Sequence, residues 1–261
     1  MQNRLVTLEV HDGIGVVTLN NPPLNLVTLG LTRELNRVLD AAASDRLVRA
    51  LVVVGAGSRA FCAGSDIGEF PALTAPGAAV EQKLEYENET YSKLDEFPKP
   101  TIAAVEGLAY GGGLELAVSC DLVVITEDTR LALPEIKLGV FPGTGGTLRV
   151  TRRIGEGRAK EMMFFGEPID ASTALSWGLA NRVVAVGKSL QVTLAMAAVL
   201  ATRPNVALQL CKRAIDYSFD MPAGEALDRT LELSDAAFQS ADCVEGVAAF
   251  MEKRTPSFMH S

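Results

Sequence analysis

Residues 99–126, KPTIAAVEGLAYGGGLELAVSCDLVVIT, decide the fold. Lys99 to Val105 runs into an apolar strand, Gly107 to Gly113 is a glycine-rich turn, Leu114 to Cys120 has a helical pattern, and Leu122 to Thr126 is a second apolar strand. Strands apolar on both faces belong to a sheet covered on both sides, the habit of parallel strands joined by helices. The same order stands upstream. Leu31, Leu35, Val38 and Leu39 recur at helical spacing through Ala43, and Arg49 to Val54 is a continuous apolar strand ending in the loop residues Gly55, Ala56, Gly57 and Ser58. Ahead of them, Leu5 to Val10 alternates, His11-Asp12-Gly13 turns, and Ile14 to Leu19 completes a hairpin. Repeated strand, loop and helix predict an α/β core with a mostly parallel sheet.

Between the two units lies Glu69 to Asp95, with Pro71, Pro76 and Gly77 in a loop and a charged helix over Glu81 to Leu94. An insertion of this kind sits over a ligand site. Its Glu81, Glu85, Glu87 and Glu89 are expected on a solvated face. After about residue 150 the strand signal fades, and Arg158–Phe165, Ala171–Trp177, Leu190–Ala201, Val206–Tyr217 and Ala223–Gln239 read as helices. The division expected is an α/β core over 1–200 and a helical carboxyl-terminal region over 201–261. Met162, Met163, Phe164, Phe165 and Trp177 are expected in the core.

Composition narrows the chemistry. The 261 residues are 48% hydrophobic and 21% charged, and 24 Lys+Arg against 32 Asp+Glu give a net charge of -8. That balance opposes broad nucleic-acid binding, which needs a basic face. Only two histidines occur, His11 and His260, so a Ser-His-Asp triad or a histidine metal site has little to build with. Four dispersed cysteines, 62, 120, 211 and 243, form no CxxC pair and fit a reducing, cytoplasmic setting; Cys62, with no histidine near it, is a packing residue. Met1 to Arg4 precedes strand sequence without a signal-like apolar segment, and no run approaches the ~18 apolar residues of a membrane span. Neither secretion nor membrane insertion is expected. Acid/base work falls to carboxylates.

Three segments stand out. Ala60 to Ile67 (AFCAGSDI) follows a buried strand, and its small residues let backbone N–H groups approach a ligand, although, taken alone, a tight strand-to-helix turn is the favoured explanation. Gly107 to Ala117 (GLAYGGGLELA) places three glycines before a helix that carries Glu115; successive glycines cost backbone entropy, which points to close approach of another group. Glu115 is either a helix-terminal acid or a group aimed at a cleft. Leu131 to Thr147 (LALPEIKLGVFPGTGGT) sets Glu135 in apolar surroundings beside Pro142, Gly143, Gly145 and Gly146, and its ending lacks the lysine of a phosphate-binding loop. Two carboxylates, each beside a glycine turn, fit paired acid/base work.

Together, with Asn20-Asn21-Pro22 and the segment Ala248 to Arg254, these segments resemble the enoyl-CoA hydratase/isomerase (crotonase) family nearly end to end. The resemblance implies a crotonase-like spiral of repeated ββα units with a helical carboxyl-terminal trimerisation region, and an enoyl-CoA hydratase adding water in the syn sense to a trans-2-enoyl-CoA in acyl-CoA catabolism. By resemblance, the N–H groups of Ser65 and Gly112 form an oxyanion hole, Glu135 delivers a proton to the α-carbon, and Glu115 holds and helps to activate the water. Coenzyme A arrives with the acyl-CoA thioester substrate, and no metal or other cofactor is implied. Arg59, Ala63, Asp66 and Ile67 are assigned to the coenzyme A moiety, with Phe250 and Lys253 from a neighbouring chain of a homotrimer or dimer of trimers. Phe70, Tyr110, Leu114, Phe141 and Gly143 are assigned to the acyl pocket. Retention of both acids favours hydration over double-bond migration; the alternative within the family is isomerisation, decarboxylation or dehydration of a specialised hydroxyacyl-CoA, and the acidic balance and both glutamates disfavour a merely CoA-binding or RNA-binding relative.

Overall fold

The computed structural model describes residues 4–259, so Met1, Gln2, Asn3, His260 and Ser261 lie outside the described residues. Strands β1 (Val6–His11) and β2 (Ile14–Leu19) form the expected antiparallel hairpin, and the turn residues Asp12 and Gly13 take φ of 51° and 82°. Two positive φ values in a two-residue loop match the twist of the flanking strands. Helix α1 (Leu29–Ser44) starts where the Thr28 side chain accepts the Leu31 N–H, and it buries Leu31, Leu35, Leu39 and Ala42.

From here the chain repeats one step. Each of β3 (Ala50–Gly55), β5 (Thr101–Val105) and β7 (Leu122–Thr126) joins a large sheet, and each is followed by a short strand, β4 (Ala60–Cys62), β6 (Leu108–Tyr110) or β8 (Arg130–Ala132), that joins a smaller one. Helices α2 (Glu85–Asp95), α3 (Gly112–Val118) and α4 (Gly146–Ile154) complete the three turns of a ββα spiral. The large sheet runs in the order β1-β2-β3-β5-β7-β10, parallel after the hairpin, and the small one β4-β6-β8-β9; β9 is Ile169–Asp170 and β10 is Arg182–Val184.

Alternation along the large sheet explains its uninterrupted apolar runs. Leu51, Val53, Ala103, Val105, Val123 and Ile125 enter one core with Phe61, Cys62, Ala109 and Leu131 of the small sheet. Their neighbours Ala50, Val52, Ile102, Ala104 and Val124 face the other way, under α7 (Ser189–Ala201). Both faces are therefore covered, as parallel strands require. The intervening helices α5 (Glu156–Phe165) and α6 (Ala171–Trp177) bury Ala159, Met162, Ala171 and Ala174. Beyond α7 come α8 (Asn205–Asp220), α9 (Ala223–Phe238) and α10 (Ala241–Glu252). Within one chain, α8 buries no residue.

The structure corrects several expectations. The Gly107–Gly113 turn contains β6, the Ala60–Ile67 turn contains β4, and strands β9 and β10 occur after residue 150, because two- or three-residue strands beside glycines are too short to display a period. Phe164 and Phe165 are 66% and 68% exposed rather than in the core, since α5 turns Ala159 and Met162 inward instead. Cys62 is buried as a packing residue, and burial pushes its thiol up to about 12. Among the described residues, no single helix is long and apolar enough to cross a membrane.

Candidate active site

The second ββα turn aims Glu115 into a cleft. Gly113 approaches β4 so closely that a Cβ there would overlap the Cys62 carbonyl, which seats the start of α3 against that strand. Glu115, in the first turn of α3, is 3% exposed. Its Oε1 accepts the N–H of Thr144 at 2.9 Å and of Gly146 at 2.8 Å, and the Thr144 hydroxyl binds Oε2. Both N–H groups lie at the N-terminus of α4, where partial positive charge favours an anion. Burial raises the Glu115 pKa, opposed by the Thr144 hydroxyl, the two N–H groups and the Arg149 charge. Three donors converge on the two carboxyl oxygens, so the cradle supports the ionised form against the cost of burial.

Glu135 is held differently. It opens a short 3₁₀ turn, Glu135–Leu138, which Gly139 closes in the left-handed conformation. Its Oε2 is buried without a hydrogen-bond partner. Burial, with a further push from the Glu115 charge, raises its pKa to about 7. Two carboxylates of one cleft thus stand in contrasting environments, the pattern that separates an acid from a base.

The same cleft is lined by Ser65 and Gly112. Val27 N–H donates to the Gly64 carbonyl and Asp66 N–H to the Val27 carbonyl, a bridge that leaves the Ser65 N–H outside the pairing. Gly112 is the first residue of α3, where a helix leaves its N–H groups unpaired. No acceptor among the described residues takes either N–H. Gly111 makes the sharp entry at φ 51°, where a Cβ would crowd Glu135 Oε1 at 3.0 Å.

The cleft has a volume of about 690 Å³ and brings together Ser65, Gly112, Glu115 and Glu135 with Ala63, Ile67, Phe70, Phe141 and Gly143. The remaining assigned residues are elsewhere. Leu114 is fully buried in the core, because one step along a helix turns it about 100° from Glu115. Tyr110 lies on β6, and Asp66 caps the Ile67–Leu73 turn by accepting the Gly68 N–H; neither lines the cleft. Arg59 is an exposed residue before β4, while Phe250, 82% exposed, and Lys253 stand at the end of α10, away from their own chain's cleft. Among the described residues, no group of three His, Cys, Asp or Glu is placed to hold a metal ion.

A profile of the enoyl-CoA hydratase/isomerase family matches residues 9–261. The chain belongs to that family. It is 35% identical over 261 residues to a probable enoyl-CoA hydratase of Mycobacterium tuberculosis, covering 100% of both. To a short-chain-enoyl-CoA hydratase of Clostridium acetobutylicum it is 34% identical over 255 residues, 97% of each. The crystal structure of an enoyl-CoA hydratase from Bacillus anthracis superposes with a TM-score of 0.93 at 31% identity, covering 98% of this chain and 100% of that one.

Around the two carboxylates of this hydratase/isomerase family member stand residues that sequence reasoning passed over. Arg149, 6% exposed, donates to the Thr144 carbonyl at 3.2 Å and pairs with Asp95 at 2.9 Å, fixing the loop that grips Glu115. Asn88 donates to the Gly143 carbonyl at 2.7 Å, and the buried Tyr91 hydroxyl donates to the Gly112 carbonyl at 3.1 Å. Glu87 corrects the solvated-face reading: it is 2% exposed, on the cleft wall, beside Lys83. The available signal was the spacing of Lys83, Glu87 and Tyr91, which puts them on one helix stripe.

Proposed function

We propose that this protein catalyses reversible syn addition of water to trans-2-enoyl-CoA thioesters, giving 3-hydroxyacyl-CoA products. The observation that carries the reading is the pair of differently held carboxylates, Glu115 and Glu135, in one cleft with the free N–H groups of Ser65 and Gly112. The thioester carbonyl oxygen accepts both N–H groups, and these donors are in place before enolate charge develops on it. Glu115 takes a proton from water as the water oxygen bonds to the β-carbon. Glu135, protonated, gives its proton to the α-carbon on the same face. One proton enters and one leaves the enzyme, so proton exchange between the carboxylates restores the starting state. Nothing in these steps calls for a metal or a separate cofactor.

The same reading places the coenzyme A phosphates near Arg59 and near Phe250 and Lys253 supplied by a neighbouring copy in a trimer or dimer of trimers. In support, Phe219, Leu231, Phe238, Val247 and Phe250 on α8 to α10 are largely exposed in a single chain, an apolar surface suited to burial against another copy. Four free cysteines fit the cytoplasmic setting proposed for it. Purified protein incubated with crotonyl-CoA should bleach the conjugated thioester absorbance and yield 3-hydroxybutyryl-CoA. Conversion of a 3-enoyl-CoA without hydration of any 2-enoyl-CoA contradicts the reading in favour of isomerisation.

A further inference from the structure

Lys83 and Glu87 are the charged groups of the cleft that the hydration steps leave unused. Both line it, at 3% and 2% exposure, one turn apart on the segment that leads into and through the start of α2. Lys83 Nζ donates to Glu69 Oε2 at 2.8 Å. It also lies 2.9 Å from Glu87 Oε1, so the ammonium is shared between two carboxylates.

A buried ion pair loses more by desolvation than its attraction returns unless the remaining lone pairs and protons are also satisfied. A plain alkyl tail lying against this wall excludes water and satisfies neither group. The ammonium carries three protons, of which Glu69 and Glu87 engage two, and the Glu87 carboxylate has more lone pairs than its contact with Lys83 uses. A hydroxyl matches both, accepting from Lys83 and donating to Glu87. A carboxylate tail does not, because Glu87, Glu115 and Glu135 line the same cleft and Glu69 already pairs with Lys83. Burial, with the charges of Glu115 and Glu69, raises the Glu87 pKa, and the charge and hydrogen bond of Lys83 oppose the rise.

We propose that the Lys83–Glu87 wall is a polar subsite and that the acyl group this enzyme takes carries a hydroxyl beyond the double bond. The inference rests on the acyl-CoA reading of the cleft. Calorimetry on the full-length protein tests it with saturated, unreactive pairs that differ by hydroxyl for methyl: 4-hydroxybutanoyl-CoA against pentanoyl-CoA, 5-hydroxypentanoyl-CoA against hexanoyl-CoA, and 6-hydroxyhexanoyl-CoA against heptanoyl-CoA. For at least one pair the hydroxyl compound should bind about 10- to 100-fold more tightly, the range of hydrogen bonds to charged partners. In the double variant Lys83→Met with Glu87→Leu, which strands neither charge, the preference should vanish or reverse. Equal affinity, or tighter binding of the methyl compound, in every wild-type pair overturns the polar subsite and leaves the hydratase reading intact. Failure of all six compounds to bind overturns both. Because the wild-type comparison decides, a poorly folded variant does not remove the test.

Discussion

Replacing Thr144 by Val removes one hydroxyl from Glu115 while keeping the Thr144 N–H that also holds it. Thr144 is 2% exposed and Glu115 is 3% exposed, so water cannot easily replace the lost donor. A hydrogen bond to a charged group contributes about 1.5–3 kcal/mol. Because the hydroxyl steadies the ionised carboxylate, its loss raises the Glu115 pKa further and depletes the form that accepts a proton from water. At 1.36 kcal/mol per tenfold, kcat/KM for crotonyl-CoA hydration should fall about 10- to 100-fold on the acidic limb of the pH profile. The limb itself should move to higher pH, and the ratio of wild type to variant should shrink as pH rises. The assay is kcat/KM across the pH range, with circular dichroism confirming the fold. A ratio that stays constant with pH, or profiles that superimpose, refutes the claim that this hydroxyl steadies an ionised Glu115.

Hydration requires protonated Glu135, whose pKa is about 7, so kcat/KM should fall roughly tenfold per pH unit above that value, while dehydration of 3-hydroxybutyryl-CoA should fall below it; initial rates in both directions check this. The raised pKa also makes Glu135 a stability liability at alkaline pH: its contribution is intact below the usual carboxylate range and is lost as pH rises through about 7. Glu135→Gln should therefore unfold at higher urea than wild type at pH 8, by about 1–3 kcal/mol after allowance for partial exposure, with the difference gone near pH 4. Gly113→Ala should cost about 3 kcal/mol or more, because its Cβ meets the Cys62 backbone, whereas Gly157→Ala in the exposed start of α5, with nothing within 4 Å, should raise stability by about 0.4–1 kcal/mol in the same unfolding assay.

The parts of the fold legible in the sequence are those whose burial is continuous. Val52, Ile102 and Val124 pack on one side of the large sheet and Val53, Ala103 and Ile125 on the other, so each strand reads as an apolar run. β4, β6 and β8 are three residues long, and their pairing partners are distant in sequence, so no local pattern announces the second sheet. The site divides the same way. Glu115 and Glu135 were visible as acids in apolar surroundings, but Thr144 holds Glu115 from 29 residues away, a relation fixed only by the spiral. Glu87 was misjudged because a charge on a polar helix is ordinarily solvated; here Lys83 and the cleft hold it inside.

The central claim is that Glu115 and Glu135 divide the base and acid roles of one hydration. Steady-state hydration of crotonyl-CoA by Glu115→Gln and by Glu135→Gln, each shown to be folded, tests it most directly. Each substitution keeps the side-chain shape and removes the proton-transfer function, which contributes on the order of 10²- to 10⁴-fold. The account predicts a loss of kcat of that size in both variants, with acyl-CoA binding retained. Turnover near the wild-type level in either variant contradicts it.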